Sequence, residues 1–209
     1  MLISYDKIVA EHNVDVRGIV HVGAHLAEEM KAYTRNNVKN VIWIEANPYL
    51  FSQLSNRILH MPGHHCYNFA AYHIGGEQVS LNIASNGESS SILEFGSHAS
   101  KYPSIKYTGK VQVYTKRLDD FLIKSQHSLE NYNFLNLDVQ GVELLVLRGA
   151  SKILDKIDYI YAEVNEEHLY KDCCLVGEVD EYLGAYGFTR KATRMLDAGW
   201  GDALYIKRP

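Results

Sequence analysis

The sequence predicts an α/β fold: a mostly parallel sheet with helices on both faces and an antiparallel hairpin closing one edge. Three observations carry that reading. Short apolar runs rich in Val, Ile and Leu alternate with stretches of helical spacing along most of the 209 residues, and strand–helix alternation builds a parallel sheet covered on two sides. The C-terminal stretch instead holds two β-like pieces in succession, Phe188 to Thr193 and Asp202 to Lys207, around a turn at Asp197-Ala198-Gly199; such a pair adds antiparallel strands at a sheet edge. No repeat, low-complexity tract or Pro/Gly/Ser-rich linker divides the chain, and its length suits one hydrophobic core. Residues 1–209 are therefore expected to form one domain, with 1–16 as a lead-in.

Each element has its own local reason. Gly18-Ile19-Val20-His21-Val22-Gly23 reads as a buried strand ending at glycine. Ala27 to Asn37 reads as a helix with Met30 and Tyr33 inward. Asn40-Val41-Ile42-Trp43-Ile44-Glu45 is a second buried strand. Pro48 then suits the first turn of a helix to about Ile58, where its missing N–H costs nothing. His65 to Ala71 is expected as a third strand, and Val79, Leu81 and Ile83 alternate as a half-buried fourth over Glu77 to Ala84. Ser85 to Lys110 is rich in Ser, Gly and Lys and reads as loop. Val111 to Tyr114 is a strand, and Leu118 to Ile123 a short helix whose first turn gains from Asp119 and Asp120. The alternation then resumes with strand Asn133 to Val139, helix Val142 to Leu147 stopped by Gly149, strand Ile157 to Val164, and a helix within Cys173 to Tyr186 ending at Gly187.

Composition narrows the function classes. Apolar residues make up 46% and charged residues 22%, the balance of a folded globule. The net charge of -4 gives no help to phosphate binding by Lys and Arg, so nucleic acid is not an expected partner. The start, Met1-Leu2-Ile3-Ser4-Tyr5-Asp6-Lys7, lacks a basic segment followed by an apolar run, so no secretory signal is expected. No apolar stretch approaches the ~20 residues of a membrane span. Three cysteines, Cys66, Cys173 and Cys174, make a poor disulfide framework. A cytoplasmic location with reduced thiols is the expectation.

Ligands of parallel sheets bind where strands end at their carboxyl edge. Four strand ends there carry chemistry. After the first come Gly23-Ala24-His25, small residues that let backbone approach a ligand, followed by the free N–H groups of a helix start. The three-glycine dinucleotide pattern is missing, since His25 and Ala27 stand where glycines often do. That favours a nucleoside without phosphates over a pyrophosphate. After the second strand, Glu45 lies about 20 residues beyond the first glycine, where a carboxylate can accept bonds from two ribose hydroxyls; its bland reading is a cap on the following helix. After the central strand comes Asp138-Val139-Gln140-Gly141-Val142-Glu143, and after the next Glu163-Val164-Asn165, with His168 nearby. Asp138, Glu163 and His168 are candidate general bases. They are also conceivable ligands of a divalent cation, although their spacing matches no fixed motif and a satisfied polar network is the plainer reading. Glu143 reads as a helix-dipole partner.

These stretches resemble the FkbM-type family of S-adenosylmethionine-dependent methyltransferases. The likeness rests on Ile19 to His25, Val41 to Pro48, Arg117-Leu118-Asp119-Asp120-Phe121, Ala162 to Asn165, Tyr186-Gly187-Phe188 and, most specifically, Phe134 to Ala150. It spans roughly residues 17 to 207. The resemblance implies a Rossmann-like class I methyltransferase sheet of seven strands, with the donor's methionine and ribose over Gly23 and Glu45 and its adenine near Ala70 or Ala71. His21, Ala24, His25, Ala46 and Asp138 complete the implied donor site. Gln140, Asn165 and Trp200 are candidate acceptor contacts, Tyr102 a further aromatic, and 85–110 the candidate acceptor-site loop. The chain departs from the family pattern at His21, where an acidic residue is common, at Ala27, where glycine is, and at Asn136, where lysine is frequent.

The expected function is methyl transfer from S-adenosylmethionine to a hydroxyl of a small molecule or carbohydrate. One rival is a ribose or cap 2'-O-methyltransferase acting on RNA, which Glu163, in place of a second lysine, and the acidic balance count against. A second is a non-catalytic nucleoside-binding module of the same fold. A third, a nicotinamide-dependent oxidoreductase, suffers from the missing glycines.

Overall fold

The computed structural model describes residues 1–208. A seven-stranded sheet runs in the order β3 (His64–Asn68), β2 (Val41–Glu45), β1 (Ile19–Val22), β7 (Phe134–Leu137), β8 (Tyr159–Asn165), β10 (Trp200–Lys207) and β9 (Phe188–Met195). The first five are parallel to one another, while β10 runs antiparallel to both β8 and β9. This is the mostly parallel sheet with an antiparallel edge hairpin that the alternation predicted. A small second sheet joins β4 (Ala70–Ala71), β6 (Tyr107–Lys116) and β5 (Gln78–Ala84).

Strand alternation sorts the core onto two faces. Val20, Val22, Ile42, Ile44, Leu135, Leu137 and Ala162 face one cluster, packed with Leu118, Val146, Leu147 and Leu183 from α5 (Leu118–Lys124), α6 (Glu143–Arg148) and α7 (Val176–Gly184). Ile19, Val41, Trp43, Phe134, Tyr161 and Leu204 face the other. There they meet Tyr5 and Ile8 of α1 (Tyr5–His12), Tyr33 of α2 (Met30–Arg35) and Leu54 of α3 (Pro48–Ile58). Both faces are covered, so the strands read as unbroken apolar runs.

Four local expectations change. The lead-in is largely helical, because Ser4 caps α1 by accepting the Lys7 N–H. The helix expected from Ala27 starts only at Met30, since Gly23, His25 and Ala27 all have positive φ and the chain turns tightly there. The third strand divides: β3 ends at Asn68, and Ala70–Ala71 leaves the main sheet to pair with β6. The 85–110 segment is not all loop. It contains α4 (His98–Lys101) and the start of β6, whose pairing with β5 fixes it. Among the described residues no helix is long and apolar enough to cross a membrane.

Candidate active site

The register brings the chemistry-bearing residues into rows. Trp43, His21, Asn136, Tyr161 and Leu204 are successive cross-strand partners on β2, β1, β7, β8 and β10. Continuing two residues along the same register gives Glu45, Gly23, Asp138, Glu163 and Asp202. Residues two apart share a sheet face, so four carboxyls stand in one row along the carboxyl edge of the parallel strands, with Gly23 between Glu45 and Asp138. The ladder persists to that point, with Gly23 N–H donating to Ile44 O at 2.9 Å and Asp138 N–H to Val22 O at 3.0 Å. All five residues line one cavity of about 540 Å³, within the range of small-molecule sites.

At one end of the cavity, Glu45 is 7% exposed and tied down by backbone. His25 N–H donates to Oε2 at 2.8 Å and Asn47 N–H to Oε1 at 2.7 Å. Burial raises its pKa, and the two backbone donors oppose that rise. Each oxygen has a second lone pair, so the pair together can accept two more hydrogen bonds. Ala46, Ala70 and Ala71 form a small-residue wall beside it. Gly23, at φ +82°, is there for a reason internal to the protein: a Cβ would stand 1.7 Å from the Asp138 carbonyl oxygen. The glycine lets the β1 and β7 loops meet, and so sets the distance between the two halves of the site.

The floor is neutral. His21 is buried, and desolvation holds its imidazole below the usual range. Tyr33 hydroxyl contacts His21 Nδ1 at 3.2 Å and accepts from Asn136 Nδ2 at 2.7 Å. Two departures from the family pattern, His21 and Asn136, are thus register partners bridged by one tyrosine.

At the centre, Asp138 opens onto the cavity while protein surrounds it closely. Burial, with repulsion from Asp202, raises its carboxyl to about 6, against the hydrogen bond from Gln140. Gln140 Nε2 donates to Asp138 Oδ1 at 2.6 Å and to Glu163 Oε2 at 2.9 Å, and its Oε1 accepts from Tyr170 hydroxyl at 2.6 Å. Gln140 sits at φ +56° and Gly141 at +100°, a turn held by Glu143, whose carboxylate accepts N–H bonds from Val139 and Gly141. Glu143 is therefore a brace for the Asp138 loop. Glu163 lies well above the carboxylate range, through burial first and then through the repulsion of Asp138, Glu143 and Asp202. Asp202 accepts from Leu2 N–H and from the Tyr161 hydroxyl.

The structure gathers His21, Gly23, Ala24, His25, Glu45, Ala46, Ala70, Ala71, Asp138, Gln140, Glu163 and Trp200 around this cavity. It leaves two candidates outside. His168 is exposed and turned to the protein, with Nδ1 at 2.9 Å from Cys173 O. Asn165, the last residue of β8, is buried beside the cavity without lining it, and neither of its amide atoms has a partner. Sequence reading missed Tyr161, Asp202, Tyr170 and His98, which also line the cavity. Only the cross-strand register of β10 reveals Asp202, and only the folding of 85–110 over the site reveals His98. Among the described residues no group of three or more His, Cys, Asp or Glu is placed to hold a metal ion.

A family model described as a methyltransferase FkbM domain matches residues 21–190. The chain belongs to the FkbM methyltransferase family. Among curated proteins, the 2-O-methyltransferase NoeI of Sinorhizobium fredii (strain NBRC 101917 / NGR234) is similar, at 36% identity over 116 residues. That match covers 56% of this chain and 46% of the relative, so the FkbM chain matches about half the length of that protein. Solved structures share its fold. Magnesium protoporphyrin IX methyltransferase (ChlM) from Synechocystis PCC 6803, with bound SAH, aligns with a TM-score of 0.55 at 9% identity, over 96% of this chain and 78% of that one. Ribosomal protein L11 methylase from Lactobacillus delbrueckii subsp. bulgaricus aligns with a TM-score of 0.52 at 7% identity, over 96% and 75%. The class I methyltransferase sheet expected of an FkbM protein is the sheet observed.

Proposed function

We propose that this chain, a single cytoplasmic domain, transfers a methyl group from S-adenosylmethionine to a hydroxyl of a small-molecule or carbohydrate acceptor. The observation that carries the reading is Glu45. A buried carboxylate is costly unless it has partners. This one has a single backbone donor on each oxygen and lines the cavity. The remaining lone pairs suit a vicinal diol, as in a ribose, and among the described residues the cavity offers no lysine or arginine for a phosphate. The residues present therefore fit a phosphate-free nucleoside donor, with Gly23, Ala24 and His25 beside its amino-acid end and Ala70 and Ala71 beside its base. The 2-O-methyltransferase named among the relatives supports a hydroxyl as acceptor.

When bound, S-adenosylmethionine supplies a methyl carbon on a positively charged sulfur. The chain's own residues do the rest. Asp138, adjacent to Gly23 across the strand pair, takes the acceptor's hydroxyl proton, and its raised pKa brings it closer to the working pH of a general base. Gln140 keeps Asp138 and Glu163 at hydrogen-bonding distance from one amide and so fixes the direction of both carboxyls. Trp200, Tyr102 and the 85–110 segment, which contributes Asn86, Ser89 and His98, wall the acceptor end and exclude water. Holding the hydroxyl in line contributes several kcal/mol to the rate. An RNA acceptor is disfavoured by the same lack of lysine and arginine.

A thermal-shift comparison tests the donor class. S-adenosylhomocysteine should raise the melting temperature while NAD leaves it unchanged. A shift with NAD and none with S-adenosylhomocysteine would overturn the reading.

A further inference from the structure

Among the described residues, seven aspartates and glutamates line the cavity and no lysine or arginine does. Three of them, Asp138, Glu163 and Asp202, are neighbours in the carboxyl row, separated at the backbone by the ~4.8 Å strand spacing. Asp202 is three strands from Gly23, roughly 14 Å on the same spacing, so it lies beyond the donor's end of the row. The protein gives these carboxyls neutral partners: the Gln140 amide for Asp138 and Glu163, the Tyr161 hydroxyl and Leu2 N–H for Asp202. The formal cation on this wall is the Met1 ammonium, placed 3.5 Å from Glu29 Oε1. A second, independent feature marks the same end as a ligand site. His98 is 4% exposed, lines the cavity, and leaves Nδ1 buried without a partner. Its ring stacks on Phe95 at 4.2 Å, which fixes its direction. Trp200, two residues before Asp202 on the same face of β10, is joined to Tyr102 by a 2.9 Å indole–hydroxyl hydrogen bond, and aromatic faces attract cations.

We propose that the acceptor is an amino sugar whose ammonium group sits on Glu163 and Asp202 while its hydroxyl is presented to Asp138. The inference rests on the methyltransferase reading of this site and adds the charge class of the acceptor. An ammonium carries three donors and no acceptor, which matches two carboxyls that already accept neutral donors and retain free lone pairs. It also supplies positive charge to three adjacent carboxyls whose hydrogen-bond partners are neutral. The same wall repels a carboxylate or phosphate on the acceptor. His98 presents an imidazole to a ring hydroxyl of the sugar.

Calorimetric titration of the protein saturated with S-adenosylhomocysteine tests this, at a pH where the amine is protonated. The probes are methyl glucosaminide, methyl glucoside and methyl glucuronide. The amine should bind about tenfold or more tighter than the neutral glycoside, and the uronate should give no heat. Asp202→Asn keeps an acceptor for Leu2 N–H and Tyr161, and Glu163→Gln keeps one for Gln140. Each should bring the amine preference to within about twofold of unity without changing the affinity for S-adenosylhomocysteine. Equal or tighter binding of the glucoside, binding of the uronate, no binding of any of the three, or an unchanged preference in both variants overturns the proposal. Failure of the initial S-adenosylhomocysteine titration would instead strike the donor reading. The three glycosides, titrated onto the ligand-free protein, then still decide the ammonium site.

Discussion

Gly23 shows how much of the site is set by protein packing alone. Its positive φ and the 1.7 Å approach of an added Cβ to the Asp138 carbonyl leave no room for a side chain. Gly23→Ala should destabilise the fold by about 2 kcal/mol or more through strain and overpacking, read as a fall in melting temperature. Two and four residues on, His25 and Ala27 hold φ of 44° and 57° without being glycine. Such conformations cost on the order of 1 kcal/mol each for an L-residue. Glu45, Asp138 and Glu163 were legible in the sequence because each directly follows a buried apolar run, and the end of a parallel strand is a place the pattern fixes. His168 was misjudged for the complementary reason. It follows Asn165 by only three positions, but the chain turns after β8 and carries its ring to the outside, against Cys173 O. Asp202 and His98 were illegible because their positions come from a β10 register and a stacking partner, Phe95, that no local pattern encodes.

The elements divide between those that make the site and those that hold it. The Arg117-Leu118-Asp119-Asp120 stretch, prominent in the family likeness, belongs to the second group. Arg117 donates to both oxygens of Asp119, at 3.1 and 2.6 Å, and to the carbonyls of His73 and Arg148. Asp119 is fully buried and also accepts from the backbone N–H of Asp120 and Lys152. The pair ties the start of α5 to the end of α6, where Gly149 passes so close to Tyr72 that a Cβ would lie 2.1 Å from its carbonyl oxygen. Asp119→Ala should cost about 3 kcal/mol by leaving these donors unpaired, measured by urea unfolding, with the affinity for S-adenosylhomocysteine unchanged. The main-sheet strands were readable because burial on both faces demands continuous apolar runs. The Ser85 to Lys110 segment was not, because its order comes from distant contacts: Phe95 stacked on Tyr107 at 3.9 Å, the Asn82–Ser91 bridge, and Gly96 N–H donating to Leu169 O.

Over the whole molecule, the carboxyl row makes stability depend on pH. Burial and mutual repulsion raise Asp138 and Glu163 above ordinary carboxyls. Between the ordinary carboxylate range and these raised values the folded chain holds more protons than the unfolded chain, so its stability falls as pH rises through that window. Glu163→Gln removes one of the charges, and its melting temperature should fall less than that of the wild type between about pH 5 and pH 8. An identical fall in both proteins would remove Glu163 as a source of the effect. In the proposed function the row serves two ligands, with Glu45 and Gly23 at the donor's end and Glu163 and Asp202 at the acceptor's. Calorimetric binding of S-adenosylhomocysteine to wild type and to Glu45→Ala tests the donor end most directly. Saturable binding to the wild type and at least about tenfold weaker binding to the variant are expected, through the loss of charge-assisted hydrogen bonds to the ribose. Equal affinity in the two proteins, or no binding to the wild type, would contradict it.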